Sequence, residues 1–129
     1  MGRGSRELED ELSTQVFFNP RCSKCRTVRA ILEEKGHEAE YVRYLEQVPT
    51  HEDLEHVLGL LGTNDPRDMI RTNEGIYREL GLASADRDAL IDAMVQHPIL
   101  IERPIVIHGD RAVIGRPPER ALELFREPN

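Results

Sequence analysis

Cysteine is scarce in this chain of 129 residues: Cys22 and Cys25 are the only two. Four thiolates are therefore not available for a structural zinc site, and the five histidines show no H-x-x-x-H spacing that would complete one, so no metal is expected. Lysine is equally sparse, with Lys24 and Lys35 against fifteen arginines. That imbalance is either a compositional bias or a supply of guanidinium forks for an oxyanion. Excess positive charge is missing too. A net charge of −7 excludes a general affinity for nucleic-acid backbone. No apolar run approaches a membrane span. The opening "MGRGSRELEDELSTQ" lacks the apolar centre of a secretory signal, so residues 1–14 are expected to form a flexible leader and the protein to be cytoplasmic. No repeat or low-complexity linker divides the rest. With 39% apolar residues, 15–126 suits a single domain with one core.

What is present reads as alternating strands and helices. Val16-Phe17-Phe18 is a short buried strand ended by Asn19-Pro20. A helix follows over 23–35, with Val28, Ile31 and Leu32 on one face and Gly36 as its stop. "EYVRYL" (40–45) is rich in strand formers, and the connection is long enough for parallel pairing. Thr50 can cap a helix over 51–61, Pro66 opens another helical piece, "EGIYRELG" a third, and 86–96 a fourth that stops at Pro98. "RPIVIHGDRAVIG" predicts a hairpin, with strands 105–107 and 112–114 around Gly109-Asp110. "RPPERALELF" predicts a closing helix with Leu122 and Phe125 facing in. This order is that of an α/β, thioredoxin-like fold: a mixed sheet with a helical insertion between its halves.

Both cysteines lie in "NPRCSKCRTV", where a strand turns into a helix. The first amides of a helix have no internal partner and carry partial positive charge, so they favour a thiolate and receive an oxyanion. Arg21, Lys24 and Arg26 are expected to add to that field. Such surroundings bring a cysteine pKa from about 8.5 into the range of roughly 3.5–7.5. Cys22 is thus the candidate nucleophile. Cys25, one turn on, shares a line with Val28 and Leu32 and is expected to face inward, as a small core residue or as a resolving thiol.

"FFNPRCSKCRTV", "YLEQVPT", "MIRTNEGIYRELGL", "MVQHPILIERPIVI" and "IGRPPERAL" together resemble the ArsC family of glutaredoxin-linked arsenate reductases, over 15–125. The related Spx and YffB proteins share that fold. The resemblance implies Cys22 as the nucleophile and Arg71, Arg103 and Arg116 as the arginines around bound arsenate; Cys25 joins Cys22 as a catalytic candidate through the C-x-x-C spacing. Asn19, Arg26 and Pro104 support them, with Arg103-Pro104 matching the family's cis-proline. Guanidinium forks suit a tetrahedral dianion and offset its repulsion from a thiolate.

The implied reaction is reduction of arsenate to arsenite through a Cys22 thiolate–arsenate adduct. No bound cofactor is expected. Glutathione is the expected co-substrate, glutaredoxin or thioredoxin the electron donor, and the protein is expected to work as a monomer without nucleic acid or membrane. Two positions depart from the family: Phe18 stands where histidine commonly precedes Asn-Pro, and Cys25 where serine is typical. A C-x-x-C is typical of Spx proteins, so a redox-sensing regulator that binds RNA polymerase stands as the alternative. A YffB-like thiol reductase acting on glutathione adducts is a third reading.

Overall fold

The computed structural model describes residues 13–125, so the expected leader at 1–14 lies almost wholly outside the described residues. Four strands, β1 (Thr14–Phe17), β2 (Glu40–Val42), β3 (Ile105–His108) and β4 (Arg111–Ile114), form one sheet in the order β2-β1-β3-β4. β1 runs parallel to β2 and antiparallel to β3, and β3 and β4 form the predicted hairpin. The sheet is therefore mixed, and the fold is thioredoxin-like.

Alternation along the strands assigns two cores. Val16, Phe18 and Val106 point to one face, where Cys25, Val28 and Leu32 of helix α1 (Ser23–Glu34) meet Ala121 and Leu124. Phe17 and Ile105 point to the other face, under the helical insertion. The insertion comprises α2 (His51–Leu61), a 3-10 turn at Pro66–Met69, the short α3 (Gly75–Glu79) and α4 (Arg87–Gln96). Leu54, Val57 and Leu58 of α2 and Leu90, Ile91 and Met94 of α4 are buried in that core.

Local signals explain where the elements begin. Thr50 and Asp53 form a reciprocal capping box at α2, each side chain taking the other's backbone N–H at 3.0 Å. Asp86 caps α4 through the Ala89 N–H at 2.9 Å. Gly36, at φ +77°, takes the left-handed position that ends α1.

Two expectations need correction. The second strand stops at Val42 rather than reaching Leu45, because Arg43 starts a turn whose carbonyl accepts from Glu46 and Gln47, and Tyr44 folds into the core. The closing segment Pro118–Phe125 is a 3-10 helix, and Ala121 and Leu124 are its buried residues, not Leu122 and Phe125. A period of three places 121 and 124 on one face. Arg111 Nη2 holds the Glu123 and Leu124 carbonyls at 3.3 and 3.0 Å. Phe125 instead stacks on His37 at 3.8 Å, with His108 tilted against it at 4.4 Å.

One junction ties the hairpin to α1. Gly115 N–H donates to Pro104 O at 2.8 Å, and a Cβ on Gly115 would lie 3.0 Å from both Pro104 Cγ and Val28 Cγ2. The Arg103–Pro104 bond is cis, as the family resemblance implies.

Candidate active site

Cys22 is the N-cap of α1, in extended conformation, and its N–H donates to Asn19 O at 2.9 Å. It makes no ordinary capping hydrogen bond, and the first turn of α1 contains no acidic residue. The open amides are therefore left for the sulfur. Burial pushes the Cys22 thiol up, but the Cys25 and Lys24 amides, the Cys25 thiol and the Arg103 charge together hold it below its ordinary value. The field thus comes from backbone and from Arg103, an element away. The expected side-chain charges of Arg21, Lys24 and Arg26 are not among these contributions. Arg26 instead braces the turn, with Nη1 donating to Pro20 O at 2.9 Å, while Asn19 Oδ1 accepts from the Arg21 N–H at 3.0 Å.

Cys25 has the opposite environment. It is fully buried, and burial first, then the negative charge of Cys22, pushes its thiol up to about 12. The Asn19 N–H reaches its sulfur at 3.5 Å and partly opposes that rise. Both cysteines are free, Cys22 partly accessible and Cys25 not. The two thiols are thus shifted in opposite directions, the accessible one down and the buried one up.

Phe18, where the resemblance implies histidine, is a core residue. It meets Tyr41 edge-on at 5.2 Å, and Arg29 lies over its ring at 5.0 Å.

The three expected arginines come from three separate segments and meet in one cleft of about 190 Å³, lined by Arg71, Asn73, Glu102, Arg103 and Arg116. An isolated bridge between Ile70 and Ile101 brings the first two segments together. Glu102 N–H donates to Met69 O at 2.9 Å, and Arg71 N–H to Leu100 O at 2.7 Å. Arg71 is further aimed by Glu74, 2.8 Å from its Nη2. Arg116, on the third segment, is tied to the second by donating its Nε hydrogen to Arg103 O at 2.9 Å. Three guanidiniums thus face the cleft, with the carboxylates of Glu102 in its wall and Glu74 behind Arg71, so positive charge is in excess there.

Tyr44, Glu74, Asn73 and Glu102 were not singled out in the sequence. Tyr44 is buried and lies within the electrostatic reach of both thiols. Its hydroxyl is pushed up to about 12 by burial, then by the Cys25 charge, against the opposing pull of Arg103 and Arg71. Glu102 directly precedes Arg103 in "ERPIV", but only Arg116, fourteen residues on, shows that the two share a site.

Among the described residues, one group with metal-ligating chemistry lies elsewhere: His51, Glu55 and Asp88. Its members are already engaged, with Glu55 held by both Arg87 amino groups at 2.7 Å and His51 Nδ1 2.8 Å from Asp92.

The profile of the ArsC family matches residues 17–124. An uncharacterized Escherichia coli K12 protein, YfgD, is 46% identical over 112 residues, covering 85% of this chain and 94% of that one. An arsenate reductase of Neisseria meningitidis serogroup A is 44% identical over 107 residues, covering 81% and 92%. The solved structure of an arsenate reductase from Vibrio cholerae superposes with a TM-score of 0.84 at 44% identity, covering 87% of this chain and 97% of that one.

Proposed function

The chain belongs to the ArsC family, and from that premise and the site's geometry we propose that it is an arsenate reductase whose nucleophile is Cys22. The observation that carries the reading is a thiol held below its ordinary value at a helix N-terminus, under the charge of one member of a three-arginine cleft. The Cys22 thiolate attacks arsenic(V). An arsenate oxygen takes up protons and leaves as water, giving a sulfur–arsenic bond. Arg71, Arg103 and Arg116 bind the remaining oxygens and offset the repulsion between two anions. A second thiolate then attacks the Cys22 sulfur. The sulfur–arsenic bond breaks with its electron pair on arsenic, which leaves as arsenite, and two thiols have become one disulfide.

Glutathione supplies the second thiol when the donor is glutaredoxin. Cys25 supplies it when the product is an internal disulfide, which glutaredoxin or thioredoxin reopens. The negative charge on Cys22 is one cause of Cys25's high value, so forming the bond to arsenic removes a barrier to Cys25 ionisation. The chain works as a cytoplasmic monomer in this reading.

NADPH oxidation coupled to arsenate tests the proposal, run separately with glutathione plus glutaredoxin and with thioredoxin. Wild type turns over with at least one donor, and Cys22→Ser turns over with neither. Inactive wild type with both donors, or an active Cys22→Ser, overturns it. Cys25→Ser separates the branches: retained turnover with glutathione excludes an obligatory internal disulfide.

A further inference from the structure

The cleft holds a carboxylate, Glu102, among its three guanidiniums. Charge attraction alone does not call for it, since an anion site is stronger without a negative group. Yet Glu102 is fixed there. Its N–H is tied to Met69 O, and its Oε1 lies 3.5 Å from Arg116 Nε and 3.6 Å from Arg103 Nη1. Neither contact is as short as a charge-assisted hydrogen bond, about 2.7–2.9 Å. Arg116 gives its Nε hydrogen to Arg103 O instead. Glu102 therefore presents acceptor lone pairs to the same space into which the arginines present donors.

Tetrahedral oxyanions of nearly one size divide by this feature. At neutral pH arsenate and phosphate keep at least one O–H, whereas sulfate keeps none. A site of arginines alone binds all three. A carboxylate in the wall accepts a hydrogen bond from the O–H of the first two and meets only lone pairs on sulfate. We propose that Glu102 is the specificity residue of the oxyanion cleft, admitting anions that retain a hydroxyl and rejecting those that do not. The inference rests on the oxyanion-binding part of the proposed function and adds which oxyanions that site takes. A site built around a substrate hydroxyl can reject the analogue lacking it by about 10⁴-fold when its polar group is left buried and unpaired. Glu102 is 26% exposed, so water relieves much of that penalty and discrimination of about tenfold to a hundredfold is expected.

The test uses protection of Cys22 from iodoacetamide at constant ionic strength, which reads binding without turnover. Phosphate and sulfate are compared on wild type, because neither is reduced by a thiol. Arsenate is compared with both by direct titration of Cys22→Ser in calorimetry. Wild type is expected to bind phosphate at least tenfold more tightly than sulfate. Glu102→Gln is expected to shrink that ratio by about tenfold while tightening sulfate, as loss of one negative charge strengthens every anion but only the hydroxyl contact separates them. A purely structural role for Glu102 moves both anions together and leaves the ratio unchanged, which overturns the inference. So does a wild-type cleft that binds sulfate and phosphate equally, although that result leaves the proposed reductase intact. Failure of any oxyanion to bind overturns both.

Discussion

Cys22 and Cys25 are three residues apart, and their sulfurs answer to different surroundings. One caps a helix and feels the charge of Arg103, though it does not itself line the arginine cleft; the other is sealed in a core with Val28 and Leu32. The contrast has a measurable sign. Arg103 stabilises the Cys22 thiolate, so the pH midpoint for alkylation of Cys22 is expected to fall below that of a free thiol, about 8.5. Arg103→Ala is expected to raise that midpoint and to lower kcat/KM for arsenate by about 10²–10³-fold, the usual loss for one donor to a developing oxyanion. An unchanged midpoint in the variant would assign the lowered value to the helix amides and the Cys25 thiol.

At the scale of elements, capping decides how firmly the insertion is seated. Thr50→Ala removes one half of the reciprocal cap on α2 and is expected to cost about 1 kcal/mol. Thermal denaturation then shows Tm lower by about 3–6 °C, and Thr50→Ser restores most of it. Legibility varies at this scale for physical reasons. Thr50, Pro66, Asp86 and Gly36 act on backbone one to three residues away, so helix starts and stops could be read from the sequence alone. The same holds for Cys22 at a strand-to-helix turn. The three arginines were placed by resemblance, since no local pattern joins residues 71, 103 and 116. Glu102 and Tyr44 stayed hidden because their roles depend on partners that only the folded chain brings near. The 3-10 form of Pro118–Phe125 was hidden likewise: its residues are ordinary helix formers, and Arg111 from the hairpin captures its carbonyls.

For the whole molecule, the described chain is one sheet between two cores, and the smaller core is closed by its final described turn. That closure is expected to weaken in acid. His108 shares a 2.8 Å hydrogen bond with Thr14 and lies against Phe125, which His37 covers from another side. Burial, then the nearby His37 and Arg111, hold His108 below the ordinary imidazole range. The unfolded chain therefore takes up this proton first, near pH 6.5. Stability from this group is complete above that value and declines as pH falls from it toward the folded value. Urea denaturation at pH 7.5 and 5.5 is expected to show a smaller acid-induced loss in His108→Gln than in wild type. An equal loss in both would place the sensitivity elsewhere. Among the described residues, no helix is long and apolar enough to cross a membrane.

The contact of Gly115 with Pro104 and Val28 has a reach beyond its size. Pro104 follows Arg103, Gly115 precedes Arg116, and Val28 rides on the helix whose first amides face the Cys22 sulfur. A single hydrogen atom in place of a methyl group thus lets Pro104 and Val28 approach at the junction between the arginine-bearing segments and the helix that Cys22 caps. Bulk inserted there meets a side chain from each side of the junction and requires Pro104 or Val28 to give by a few tenths of an ångström, so a change at this position bears on the proline beside Arg103 and on the Cys22 helix together.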